Sequence, residues 1–133
     1  MVKKHTYGKH EKLKSRKLIE EVFTKGQVVK AYPIRLHYLI HDNEEYSPLQ
    51  AGVSVSKRNF KRAVDRNRVK RLLREAYRLQ NEELKNWVKE HNKQIAIMII
   101  YGNNALPETS FTMQRTEVLL AKLKDKLMQH RLQ

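Results

Sequence analysis

Lys57 to Arg78 reads KRNFKRAVDRNRVKRLLREAYR, and the reading of this stretch decides the fold. Ten of its 22 residues are Lys or Arg, and two, Asp65 and Glu75, are acidic. Its apolar residues are nonetheless spaced for a helix rather than for a disordered basic tail. With Arg66 at 0° and about 100° per residue, Leu72, Ala76, Val69, Leu73 and Tyr77 fall between about 240° and 20°. Arg66, Lys70, Arg74, Asn67, Arg78 and Arg71 fall between about 0° and 140°. One helix, from about Arg62 to Gln80 and entered through Asn59 or Asp65, therefore carries a core-facing stripe and, beside it, a cationic plate. Cations this dense repel one another unless a polyanion meets them. A guanidinium grips phosphate through two parallel bonds and also stacks on bases, which an ammonium does not. Asn67 adds a donor and an acceptor on the same side. With acids almost absent from this face, a merely solvated helix is the weaker reading and a phosphate-binding helix the stronger.

Outward from the helix the apolar period changes. Leu49–Ser56, LQAGVSVS, reads as a strand with Val53 and Val55 on one face. Before it, HDNEEYSP at 41–48 is a turn-rich connection. Val28–Ile40 reads as strand, kinked or interrupted at Pro33, which cannot donate to a ladder. Ile34, Leu36, Tyr38 and Ile40 alternate there with Arg35, His37 and Leu39. Ser15 can cap a short helix, Arg16–Thr24, with Leu18, Ile19, Val22 and Phe23 as its apolar side and Gly26 at its end. Downstream, the polar stretch 81–92 either extends the basic helix or forms a separate turn of helix around Leu84, Trp87 and Val88. QIAIMIIY, 94–101, is a continuous apolar run whose length and Ile content predict a strand buried on both faces. After a loop with Pro107, Ser110 or Thr112 starts a last helix striped by Val118, Leu119, Leu120, Leu123, Leu127 and Met128. The order is α-β-β-β-α-β-α if the first strand region is a hairpin, and α-β-β-α-β-α if it is not.

Composition sets the class. A chain of 133 residues is one domain by expectation, large enough for a real core. Lys and Arg number 28 against 14 acids, giving a net charge of +14, and the pI is about 10.1. That balance points to nucleic acid or another anionic surface. Residues 1–13 are polar, basic and expected to be flexible without a partner. The absence of cysteine excludes disulfides, thiolate zinc sites and thiol catalysis. No apolar run follows the charged start, so a secretory signal is not expected, and the longest apolar run is far too short to span a bilayer. A cytoplasmic protein that does not bind membranes is the expectation.

The sequence resembles the protein subunit of bacterial ribonuclease P, the ribonucleoprotein that removes 5′ leaders from precursor tRNAs. The likeness centres on AVDRNRVKRLLRE, Ala63–Glu75, which is similar to that family's Arg-Asn-Arg signature. GVSVSK, Gly52–Lys57, is similar to the strand leading into it, and VFTKG, Val22–Gly26, to the end of the family's first helix. QIAIMII and the amphipathic last helix follow in order, so the resemblance covers roughly 13–128. It implies an α/β sandwich, α-β-β-β-α-β-α, with a four-stranded sheet and a left-handed βαβ crossover through the basic helix. It implies partners too: the catalytic RNA and precursor tRNA, with no obligate protein partner. Cleavage then belongs to the RNA, magnesium is held mainly by the RNA, and the protein alone has no catalytic residue and binds no cofactor. By the same resemblance, RNA contacts fall on Arg66, Asn67, Arg68, Lys70, Arg71 and Arg74, with Lys57 and Lys61 upstream. The leader-binding cleft falls on Ile19, Phe23, Arg35 and His37. The chain departs from the family at two of these, where Ile19 and His37 stand in place of common aromatics.

A protein-only nuclease is the rival from another class, since it would need an acid–base pair or metal-binding carboxylates. His37 and His41, near Asp42, Glu44 and Glu45, are the available groups. Histidines four apart on a strand lie about 13 Å from each other, which argues against a shared site. A generic RNA-binding or ribosomal protein would share the helix but need no cleft. Trp87 reads as a half-buried helix residue, and Tyr101 and Phe111 as packing.

Overall fold

Ser15 Oγ accepts from Leu18 N at 3.2 Å and starts α1, Arg16–Lys25. The computed structural model describes residues 7–131. After α1 come β1 (Gln27–Ala31), β2 (Ile34–His41), β3 (Leu49–Val55), α2 (Ala63–Gln80), α3 (Glu82–His91), β4 (Gln94–Tyr101) and α4 (Thr109–Arg131). The first strand region is a hairpin, since β1 and β2 pair antiparallel with Ala31 opposite Ile34. Tyr32 and Pro33 form its turn, where a missing N–H costs no ladder bond.

The sheet order is β1-β2-β4-β3. β4 pairs antiparallel with β2 and parallel with β3, so the strand written last lies inside the sheet. Its alternate residues serve two cores. Ile95, Ile97, Ile99 and Tyr101 join Leu36, Tyr38, Ala51 and Val55 beneath α2, α3 and α4. Ala96 and Met98 join Leu13, Leu18 and Val22 beneath α1. A strand covered on both faces needs no polar alternation, and QIAIMIIY has none.

Five details depart from the expectations or resolve them. α2 begins at Ala63 with Arg62 at its cap and no side-chain cap, so neither Asn59 nor Asp65 starts it. α3 is a separate helix, an element the α-β-β-β-α-β-α order lacks. Buried Asn81 marks the break before it, and Asn92 closes it in the left-handed conformation, φ 51°. α4 starts at Thr109, and Thr112 and Thr116 share its buried stripe with Leu119, Leu123 and Leu127, leaving Met128 exposed. Of the stretch expected to be flexible, residues 1–6 lie outside the described residues, while from Tyr7 onward the chain is attached. Lys9–Glu11 form one 3-10 turn, Leu13 is buried, and Lys12 bridges to Ala51 on the free edge of β3.

Candidate nucleic-acid interface

The turn from β3 into α2 is built around a buried anchor. Phe60 is buried and stacks on Tyr101, ring centroids 6.1 Å apart. Asn59 N and Phe60 N both donate to Ser56 O, tightening the turn. Lys57 and Lys61 project from it, exposed. Arg66 Nη1 then donates back to Phe60 O at 2.7 Å and Lys61 O at 2.9 Å, so this guanidinium braces the start of its own helix. The wheel places Arg66 with the free cations; the fold puts it half-buried at the margin of the apolar stripe. Arg78 also leaves the plate. It grips Glu75 through two bonds, 2.5 and 3.1 Å, and this bonding holds the Glu75 carboxyl below its usual range. Asp65 faces Arg62 at 4.0 Å.

With both acids of α2 matched by flanking arginines, the rest of the plate is unopposed. Asn67, Arg68, Arg71 and Arg74 are exposed and Lys70 is half-buried. Among the described residues none of these four cations forms an ion pair. A free guanidinium row on one helix face is what a phosphate backbone fits.

The groove is assembled by sheet register. Residues Val28, His37, Met98 and Gly52 stand abreast across the four strands, and Lys30, Arg35, Ile100 and Ser54 form the next row. Both rows face the α1 side. α1 covers Leu39, Ala96 and Met98 and stops at Gly26, which abuts Tyr38, so the row from Lys30 to Ser54 lies beyond its end. Phe23 sits at that end, 42% exposed, its ring centroid 4.8 Å from that of His37. That exposure sets Phe23 apart from the core. Arg35 Nε donates to His37 Nε2 at 3.2 Å, which requires His37 to be neutral at that nitrogen. Burial, then the charges of Arg35 and Lys30, push the His37 pKa down in agreement. Phe23, Arg35 and His37 are thus brought together, while Ile19, half-buried, packs mainly into the small core under α1. Lys30, Ile100 and Ser54 were missed by sequence reasoning, because only pairing register puts them beside Arg35. Lys57 follows Ser54 by three residues, so the chain leads from this row directly into the turn that carries Lys57 and Lys61.

His41 lies two positions past Leu39 on β2, and its Nδ1 accepts from Asn43 N at 3.2 Å. Its ring meets Tyr46 edge-on at 5.9 Å, and Asp42, Glu44 and Glu45 are exposed around it. Among the described residues no three His, Asp or Glu side chains gather as a metal-binding group. No helix among them is long and apolar enough to cross a membrane.

A family model described as Ribonuclease P matches residues 7–124, a span holding the plate, the groove and all of both cores but Leu127. The chain belongs to the ribonuclease P family. Two relatives named ribonuclease P protein component bear this out. That of Porphyromonas gingivalis W83 is 38% identical over 105 residues, 77% of each chain. That of Chlorobium phaeobacteroides is 37% identical over 120 residues, 83% of this chain and 81% of the other. The ribonuclease P protein of Staphylococcus aureus shares the fold, with a TM-score of 0.64 over 86% of this chain and 95% of that one at 24% identity. A mutant of it, described as defective in mRNA degradation activity, superposes with a TM-score of 0.66 over 87% of this chain and 90% of that one at 25% identity. Membership of the ribonuclease P family makes this chain the protein part of an RNA-based endoribonuclease, with a role in tRNA 5′ processing.

Proposed function

We propose that α2 lies on the catalytic RNA of ribonuclease P and that the groove beside α1 receives the 5′ leader of precursor tRNA. The observation that carries this is the set of unpaired cations on α2, linked through Lys61 and Lys57 to the groove floor. Arg68, Lys70, Arg71 and Arg74 hold backbone phosphates, with Asn67 bonding beside them. Arg66 contributes with the guanidinium nitrogens that do not brace the turn. In the groove Phe23 offers a ring face to a base, His37 backs that ring, and Arg35 and Lys30 meet phosphates. The protein positions; the RNA and the magnesium it holds cut. The setting is the bacterial cytoplasm, and no other protein is needed for the reaction.

The test is the variant Phe23→Ala/Arg35→Ala in the reconstituted holoenzyme. Affinity for a precursor with a leader of several nucleotides should fall by about 1–3 kcal/mol from lost stacking alone. Affinity for leaderless mature tRNA and for the catalytic RNA should hold. Equal losses for precursor and mature tRNA would remove the groove assignment. Protein without RNA, given magnesium and precursor tRNA, should leave the substrate uncut; cleavage there would move the chemistry onto the protein.

A further inference from the structure

Tyr7–Ser15 runs along the free edge of β3 and then into α1 as a ribbon with a fixed inner side. Tyr7 Oη donates to Ala51 O, and its ring meets Tyr77 of α2 edge-on at 5.3 Å. Leu13 N donates to Ala51 O at 2.9 Å, and Gln50 Nε2 to His10 O at 3.1 Å. Glu11, the acid of this ribbon, turns to Lys85 of α3 at 2.6 Å. Lys9, Lys12 and Lys14 are exposed, and among the described residues none of them forms an ion pair. Together with Ser15, Tyr46 and Ser47 they line an open cup of about 330 Å³, with Glu45 as its one acid.

Three like charges around a concavity repel until an anion sits among them. Ammonium groups are compact charges with rotatable donors, suited to a phosphodiester more than to a base edge. Tyr46, the ring in the wall, is half-buried, its Oη 3.1 Å from Ser15 Oγ and its ring edge-on to His41. The cup also continues the plate. Lys12 Nζ stands 5.8 Å over the Tyr7 ring, and Arg74 of α2 acts electrostatically on the same tyrosine.

We propose that this cup holds a backbone phosphate of the catalytic RNA, as a second foothold for the strand that lies on α2. The proposal rests on the reading of α2 given above. Tyr7, whose ring meets Tyr77, ties the ribbon that carries these lysines to α2, whereas Leu13 and Leu18 belong to the core under α1, which favours the catalytic RNA over the leader as the source.

Lys9→Ala/Lys14→Ala tests it and leaves Lys12 in place against Tyr7. Binding to the catalytic RNA should weaken roughly tenfold at physiological salt, and the slope of log affinity against log salt should become shallower by about 1, the change expected for one phosphate. The melting temperature should not move, Lys9→Arg/Lys14→Arg should bind as the parent does, and the assembled holoenzyme should keep its preference for leader-bearing precursor. Unchanged affinity and slope would overturn the proposal, as would a loss indifferent to salt or one confined to precursors with a leader. Arg68→Ala/Arg71→Ala, measured in parallel, separates the two readings. If it weakens binding and the cup variant does not, the cup alone falls; if it too binds normally, the α2 reading falls and the cup with it.

Discussion

Arg66 and Arg68 are two residues apart on one helix, yet their surroundings make them different groups. Arg66 closes the turn at Phe60 and Lys61, so Arg66→Ala removes two bonds from a charged donor. Thermal unfolding of the free protein should show a loss of about 1–2 kcal/mol, discounted for partial exposure. Arg68 and Arg71 are exposed and form no ion pair among the described residues, so Arg68→Ala and Arg71→Ala should leave melting unchanged while weakening catalytic-RNA binding by about 1–3 kcal/mol each. Normal binding by both would mean that α2 is not the RNA face. Histidine adds a pH dependence. Burial is the first cause that lowers the pKa of both His37 and His41 in the fold, with Arg35 and Lys30 adding to it at His37. The unfolded chain therefore binds more protons once pH falls below about 6.5. Stability is fully present above that pH and lost below it, down to the depressed folded values. Melting temperature followed from pH 7.5 to 5 should decline, and His37→Gln/His41→Gln should flatten the curve; an unaltered slope would place the titration elsewhere.

Among the elements, α1 ends at the tightest of the four glycine sites. A Cβ on Gly26 would lie 2.3 Å from Val22 O and 2.4 Å from Tyr38 O, both backbone atoms that cannot swing aside. Gly26→Ala should therefore lift the end of α1 off β2, cost about 1–3 kcal/mol or more, and disturb Phe23 with it. Gly52 is the contrast, since a Cβ there meets first the Met98 Sδ, the end of a flexible side chain, and Gly52→Ala should be far milder in the same melt. Which elements exist was largely legible beforehand. Val69, Leu73, Ala76 and Tyr77 are buried where the 3.6 period puts them, and Gln94–Tyr101 is a strand to the residue. What each element touches was not legible. The wheel cannot show that the turn before α2 offers carbonyls to Arg66. Residues 81–92 read ambiguously because the break depends on burying Asn81, a polar side chain with no apolar period to announce it. Tyr7 and Leu13 were lost among lysines for the same reason, being single anchors and not a pattern. The groove was readable as Arg35 and His37 sharing a face, but not as a row reaching Lys30 and Ser54, since strand order comes from tertiary pairing.

Over the whole molecule the charge of +14 is a measurable quantity. If α2, the turn lysines and the cup together neutralise about six to eight phosphates, log affinity for the catalytic RNA should fall against log salt with a slope of roughly −4 to −7. A nearly flat dependence would take away the electrostatic basis of the interface. Folding is tied to the same architecture through β4. It lies between β2 and β3, yet the ribosome delivers it after α1, β1, β2, β3, α2 and α3 have all emerged. Before that moment the nascent chain holds a lone hairpin and an orphan strand, neither stable by itself in water. α2 is then a basic segment with no sheet beneath it, and the row from Lys30 to Ser54 is missing its Ile100. If the groove is the leader's site, an interrupted product of translation clings to RNA by charge but has no cleft with which to tell a precursor from a finished tRNA. On that reading discrimination waits on β4, the apolar strand that enters between two neighbours already made.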